Sequence, residues 1–99
     1  MRIGAIILAA GGSSRMGSPK QLLPYRGRPL ICHAVEQVMA SEAGPVFVVL
    51  GSNAEAIAEA LTGDVTLCSN PRWREGMGTS VHVGVEAGIA ARVDAVIVA

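Results

Sequence analysis

The chain has 99 residues, eight basic and eight acidic side chains, two histidines and a formal net charge of zero. That length holds one domain at most, and the balanced charge gives no global field for nucleic acid or an anionic membrane. Hydrophobic residues make up 51% but aromatics only 3%, so the core must come from Val, Ile, Leu, Met and Ala, as in a parallel sheet covered by helices.

The first predicted element is a buried strand over Ile3 to Leu8, with the apolar run continuing to Ala10. It is far too short to span a membrane, and a single arginine precedes it, so it reads as a strand and the expected compartment is cytoplasmic. The run stops at Gly11-Gly12. A hydroxyl-rich loop follows with Ser13 and Ser14, then Arg15, Gly17 and Lys20, the only lysine of the chain. A strand that breaks into a glycine loop aims backbone N–H groups at a phosphate, and the arginine and lysine add fixed positive charge beside it. Two other glycine loops do not fit. Gly11, Gly12 and Gly17 have the wrong spacing for a dinucleotide fingerprint, and Ser18 stands where a P-loop needs its lysine. The plain alternative is a surface loop rich in turn residues.

Leu30 to Ser41 carries Leu30, Ile31, Ala34, Val35, Val38 and Met39 at helical spacing, ended by Gly44-Pro45. Val46 to Leu50 is a second apolar strand closed by Gly51. Ala54 to Leu61 reads as a short helix with Ile57, Ala58 and Leu61 on one face, capped by Ser52 or Asn53. Val65 to Cys68 is a brief third strand. Ser80 to Ala91 is a third helix with Thr79 or Gly78 at its start, and Asp94 to Val98 is a fourth strand. The two cysteines, Cys32 and Cys68, lack disulfide or metal spacing and read as reduced small hydrophobes.

This βαβαβαβ alternation predicts a Rossmann-like three-layer α/β/α fold with a parallel sheet in the order 3-2-1-4. In such sheets ligands sit at the carboxyl ends of the strands. Asn70 to Ser80, NPRWREGMGTS, leaves the carboxyl end of the third strand and enters a helix, so it borders the same crevice as the glycine loop. Exposed N–H groups at that helix start can take an anion or a base edge. The competing reading is a capped loop with Thr79 or Ser80 as N-cap and Trp73 as a core plug.

LAAGGSSRMGSPKQLLPYRGRPLI resembles the signature of nucleotidyltransferases with a Rossmann-like domain, in which L-A-[AG]-G-x-x-x-R-M-G-x-x-K wraps a triphosphate. NPRWREGMGTSVHVG resembles the N-P-x-W-x-x-G-M-x-x-S segment of the branch that acts on molybdopterin. Ser80 to Ala87 also resembles the S-V-x-x-G-[LV]-x-A run of the cytidylyltransferase of methylerythritol phosphate, where the serine contacts cytosine. The resemblance implies CTP:molybdopterin cytidylyltransferase activity in molybdenum cofactor biosynthesis, transferring CMP to a molybdopterin phosphate with release of pyrophosphate. Arg15 and Lys20 would be catalytic. Gly11, Gly12, Ser13 and Ser14 would cradle the phosphates, and Leu8, Ala9 and Ala10 would floor the base, with Ala10 associated with cytidine users. Asn70 and Ser80 would line the base pocket. His33 and His82 receive no catalytic role.

The resemblance covers residues 1–99 as the N-terminal nucleotide-binding part of a typical member. It implies Mg²⁺ held by an aspartate expected beyond residue 99, because Asp94 begins the fourth strand at the opposite end of the sheet. The acceptor-binding half is expected elsewhere too, so turnover by these 99 residues alone is not expected. An open sheet edge and an apolar face imply dimerisation or association with a C-terminal part outside these residues. Competing readings are a sugar-phosphate nucleotidyltransferase, a non-catalytic nucleotide-binding module and a nicotinamide-binding domain.

Overall fold

In the computed structural model the described residues are 2–10, 14–15, 18–19, 22–40, 44–61 and 63–98, with 14–15 and 18–19 described for their backbone alone. Four parallel strands form the sheet: β1 (Ile3–Ala9), β2 (Val46–Leu50), β3 (Thr66–Ser69) and β4 (Ala95–Val98). Their order is β3-β2-β1-β4, the order expected from the alternating pattern. Ala5 lies beside Val46, Ile3 beside Ala95 and Phe47 beside Thr66. Three helices cross over between them: α1 (Leu30–Ala40), α2 (Ala54–Ala60) and α3 (Met77–Ala90).

Strand alternation sorts the apolar residues into two layers. Ala5, Ile7 and Ala9 join Val46, Val48 and Leu50 under Ile31, Cys32 and Val35 of α1 and Ile57 of α2. Ile6 and Ala10 join Phe47 and Val49 on the other face, where Leu8, Trp73, Val83 and Val96 pack against them. β1 and β2 are thus covered on both sides, which explains their uninterrupted apolar runs. Cys32 is buried and its thiol donates to the Ala60 carbonyl at 3.1 Å, joining α1 to the end of α2. Both cysteines are free, and half-burial pushes the Cys68 thiol up.

Helix α3 approaches the sheet closely because Gly84 and Gly88 stand on its buried face, one and two turns after Ser80. A Cβ at Gly84 would lie 2.5 Å from Cγ2 of Ile6, and Ile6 is fully buried with no room to retreat. Gly84→Ala is therefore expected to lower stability. Overpacking costs roughly 1–3 kcal/mol, and the better helix propensity of alanine returns about 1 kcal/mol. Urea unfolding should show a lower midpoint; an unchanged or higher midpoint refutes the close contact.

Three expectations about element ends are corrected. Helix α3 begins at Met77 rather than Ser80, after Gly76 at φ 125°, ψ 167°, and no side chain caps it. The Thr79 and Ser80 hydroxyls are not caps because both sit inside the first turn and bond elsewhere. Likewise neither Ser52 nor Asn53 caps α2 with its side chain: Asn53 is left-handed at φ 57°, and its amide donates to the Ser52 hydroxyl at 2.9 Å. Asp94 precedes β4 and is bound crosswise to Arg2, donating to its carbonyl and accepting from its N–H, each at 2.7 Å.

Between β1 and α1 the chain forms two small antiparallel ribbons, Ser14–Arg15 with Ser18–Pro19 and Pro24–Tyr25 with Arg28–Pro29. The second turns at Arg26-Gly27, both at positive φ, as a two-residue hairpin requires. It is fastened to α1 by Arg28 to Glu36 at 2.6 Å and by His33 Nε2 against the Tyr25 carbonyl at 2.5 Å. His33 is thereby a structural contact.

Candidate functional site at the carboxyl ends of the strands

Ala10, Gly51 and Asn70 each follow a strand at the same end of the sheet, and their backbones are tied together. Ser52 N–H donates to the Ala10 carbonyl at 3.3 Å, and Asn70 N–H donates to the Leu50 carbonyl at 2.7 Å. Of the residues expected to floor a base, Leu8 and Ala10 face the α3 layer, whereas the Ala9 methyl faces α1 and α2. Ala9 can serve such a floor through its backbone only.

Asn70 is the centre of the segment that follows β3. Its side chain is 1% exposed, and a buried amide must find partners for both its hydrogens and its oxygen. Nδ2 donates to the Thr79 hydroxyl at 3.0 Å and to the Ser80 hydroxyl at 2.8 Å, and Oδ1 accepts from Arg72 N–H at 3.0 Å. The amide closes the loop Pro71–Gly76 against the first turn of α3. Ser80 is also buried, at 4% exposure. The structure thus brings the expected pair Asn70 and Ser80 into direct contact.

Trp73 lies in a short 3₁₀ turn, Trp73–Glu75, directly on Gly51. A Cβ at Gly51 would meet the Trp73 Cβ at 2.6 Å and its Cγ at 2.7 Å, so only glycine after β2 lets the indole sit there. The Arg74 guanidinium stands 5.0 Å from the indole centre on the outer side, at cation–π distance. Arg72 grips Glu75 with both arms, at 2.7 and 2.8 Å. The hydrogen bond and charge of Arg72 hold the Glu75 carboxyl below its ordinary range. Both groups are largely exposed, so the pair orients the loop more than it stabilises the fold.

A cavity of about 280 Å³ opens beside α3, lined by Asn70, Arg72, Gly78, Thr79, His82 and Val83. His82 is exposed and 3.7 Å from Glu86. The sequence reading left Gly51, Thr79 and His82 without a place in the site. Of these, only Gly51 carried a hint, since a glycine directly follows an apolar strand.

Of the glycine loop, Gly11, Gly12, Ser13 and Lys20 lie outside the described residues, and Ser14 and Arg15 are described by backbone alone. Ser14 pairs with Pro19 and Arg15 with Ser18, so the loop doubles back on itself after leaving β1. For the expected Mg²⁺, no cluster of three or more His, Cys, Asp or Glu exists among the described residues. Asp94 is at the far end of the sheet, bound to Arg2. The described residues do not fit a metal, and no step below runs through one. Nor is any helix among them long and apolar enough to cross a membrane.

The parallel sheet in the order β3-β2-β1-β4, with helices packed on it and loops leaving the carboxyl ends of β1 and β3, is an α/β fold of nucleotidyltransferase type. The chain belongs to the MobA-like NTP transferase domain family, whose model matches residues 5–99. A nucleotidyl transferase from Methanothermobacter thermautotroptrophicus superposes with a TM-score of 0.88 at 30% identity, over 99% of this chain and 49% of that one. Rv0371c from Mycobacterium tuberculosis H37Rv superposes at 0.79 and 28% identity, over 98% of this chain and 49% of that one. Among curated proteins, the nicotine blue oxidoreductase of Paenarthrobacter nicotinovorans is 40% identical over 84 residues, 83% of this chain and 41% of that protein. The bifunctional protein GlmU of Sinorhizobium fredii is 44% identical over 79 residues, 77% of this chain and 17% of that protein. The chain therefore spans about half the length of the solved relatives, and less of the curated ones.

Proposed function

We propose that the chain is the nucleotide-binding part of a CTP:molybdopterin cytidylyltransferase, which transfers CMP to a molybdopterin phosphate and releases pyrophosphate. The observation that carries this reading is the N-P-x-W-x-x-G-M segment folded by Asn70 onto the end of β3, with Trp73 seated on Gly51. That segment matches the molybdopterin branch, and it shares the carboxyl edge with the loop after β1. Ala10 supports cytidine over guanosine.

The attacking acceptor phosphate is largely dianionic at neutral pH, so no side chain has to remove a proton from it. Its oxygen bonds to the α-phosphorus while the bond to pyrophosphate breaks. What the protein supplies is alignment and positive charge. Lys20 is assigned to the oxygens that gain charge in the transition state and Arg15 to the triphosphate. The N–H groups of Gly11, Gly12, Ser13 and Ser14 are assigned to its outer phosphates. Asn70 and Ser80 border the base. The acceptor's own contacts and the Mg²⁺ ligand lie outside these residues on this reading.

The test is a calorimetric titration of the chain with CTP, GTP and ATP in magnesium buffer. CTP is expected to bind tightest; preferential GTP binding removes the cytidine assignment. A second reading, a sugar-phosphate nucleotidyltransferase, is favoured by the GlmU similarity. Its arm is a product assay in which sugar phosphates replace the molybdopterin-type acceptor.

A further inference from the structure

The Thr79 hydroxyl meets three residues of the loop that leads into α3, Asn70, Arg72 and Gly76. Its Oγ accepts from the Asn70 amide at 3.0 Å and faces two carbonyls, Gly76 at 2.7 Å and Arg72 at 3.0 Å. A hydroxyl has one proton to give, so it donates to one carbonyl at a time while the amide holds its oxygen. Arg72 and Gly76 are the two ends of the turn that carries Trp73, and that turn has few other ties to the molecule. Inside it, Glu75 N–H bonds the Arg72 carbonyl at 2.9 Å and Gly76 N–H the Trp73 carbonyl at 3.3 Å. Both of those bonds are local. Gly76 itself is at φ 125°, and a Cβ there would meet nothing within 4 Å, so packing holds the turn at Trp73 and not at this end. The Gly76 end is also held to α3 by the Thr79 N–H on its carbonyl at 3.2 Å, and Trp73 packs on Gly51 and the core layer. What fastens the Arg72 end to α3, beyond its bond to Asn70, is the Thr79 hydroxyl.

We propose that Thr79 is a positioning residue for nucleotide binding: its hydroxyl ties the Arg72 end of the Arg72–Gly76 turn to Asn70 and α3 and so holds Trp73 at one setting on Gly51. The inference rests on the proposed nucleotide site, because the turn borders it. Thr79 touches no substrate on this view. Its effect passes through the turn and its single tryptophan.

That tryptophan, the only one in the chain, reports the turn directly. The experiment compares Thr79→Val, which keeps the shape and removes the hydroxyl, with Thr79→Ser, which restores it. Acrylamide quenching of Trp73 and amide exchange at Glu75 and Gly76 read the turn, and calorimetry with CTP reads binding. Thr79→Val should raise the quenching constant and speed both amides. It should weaken CTP binding by about tenfold, the scale of lost positioning. Thr79→Ser should match the native protein in all three. Val35→Ala, which opens a cavity in the layer on the opposite face of the sheet, should lower stability and leave Trp73 quenching and CTP affinity unchanged.

Native quenching and exchange in Thr79→Val overturn the proposal, and so does a loosened turn with native CTP affinity. If Val35→Ala changes quenching and affinity as Thr79→Val does, the effect is general destabilisation and the proposal also falls. Absence of nucleotide binding by the native chain is a separate result: it removes the proposed function, while quenching and exchange still decide whether Thr79 holds the turn.

Discussion

Asn70→Ala is expected to be strongly destabilising, costing about 3 kcal/mol. The native amide is 1% exposed and makes three side-chain hydrogen bonds, to Thr79, Ser80 and Arg72. Each is worth roughly 1 kcal/mol net, and more when a buried partner is left unsatisfied. Alanine also empties the space under the loop. A domain of this size holds about 5–15 kcal/mol in total, so the loss is a large share of it. The melting temperature should fall by roughly 10–20 °C. A fall of only a few degrees would mean that the amide network is replaced by water at little cost, and that Asn70 is not the structural centre of the loop.

Lys20→Ala is expected to have the largest effect on chemistry. In any polypeptide that carries this segment and turns over, the rate should fall by at least about 10²–10³, the usual cost of losing one preorganised charge at a developing oxyanion. Triphosphate affinity should fall less, because the charge on the bridging oxygen grows only in the transition state. Lys20→Arg should recover part of the binding and little of the rate, since the guanidinium is broader than an ammonium. Equal losses in affinity and rate would assign Lys20 to ground-state binding. A normal rate in Lys20→Ala would remove it from the mechanism.

The two loops differ in how much of them could be read from residues alone. The loop after β1 is read from local chemistry, two glycines, an arginine and a lysine within eleven positions of the strand end at Ala9, and the phosphate contacts expected of it fall mostly on residues outside the described ones. The loop after β3 was legible only as a motif. Its contents, glycines beside a proline and a tryptophan, indicate an irregular path but not its partners. Trp73 meets Gly51 across 22 positions of chain, and Asn70 meets Ser80 across 10. Neither contact follows from spacing.

The misjudged helix starts have the same cause. Threonine, serine and asparagine favour N-caps because their side chains reach a free backbone N–H. At α3 the Asn70 amide competes for both hydroxyls, and Gly76 enters the helix with a backbone geometry that needs no cap. At α2 the Asn53 side chain turns to Ser52 and its residue goes left-handed. A local preference lost to a tertiary partner in the first case and to a neighbour in the second.

The residue pattern alone determined the βαβαβαβ order, the sheet sequence β3-β2-β1-β4 and the end of the sheet where both loops gather. It could do so because apolar runs buried on both faces, and the handedness of crossovers, are consequences of short-range geometry. Only the folded structure decided that Ala9 faces away from α3, that Gly51 is the seat of Trp73, and that Thr79 closes the turn on Asn70. Those are contacts between distant segments, and a hydrogen bond or a close approach has no period that a sequence can display.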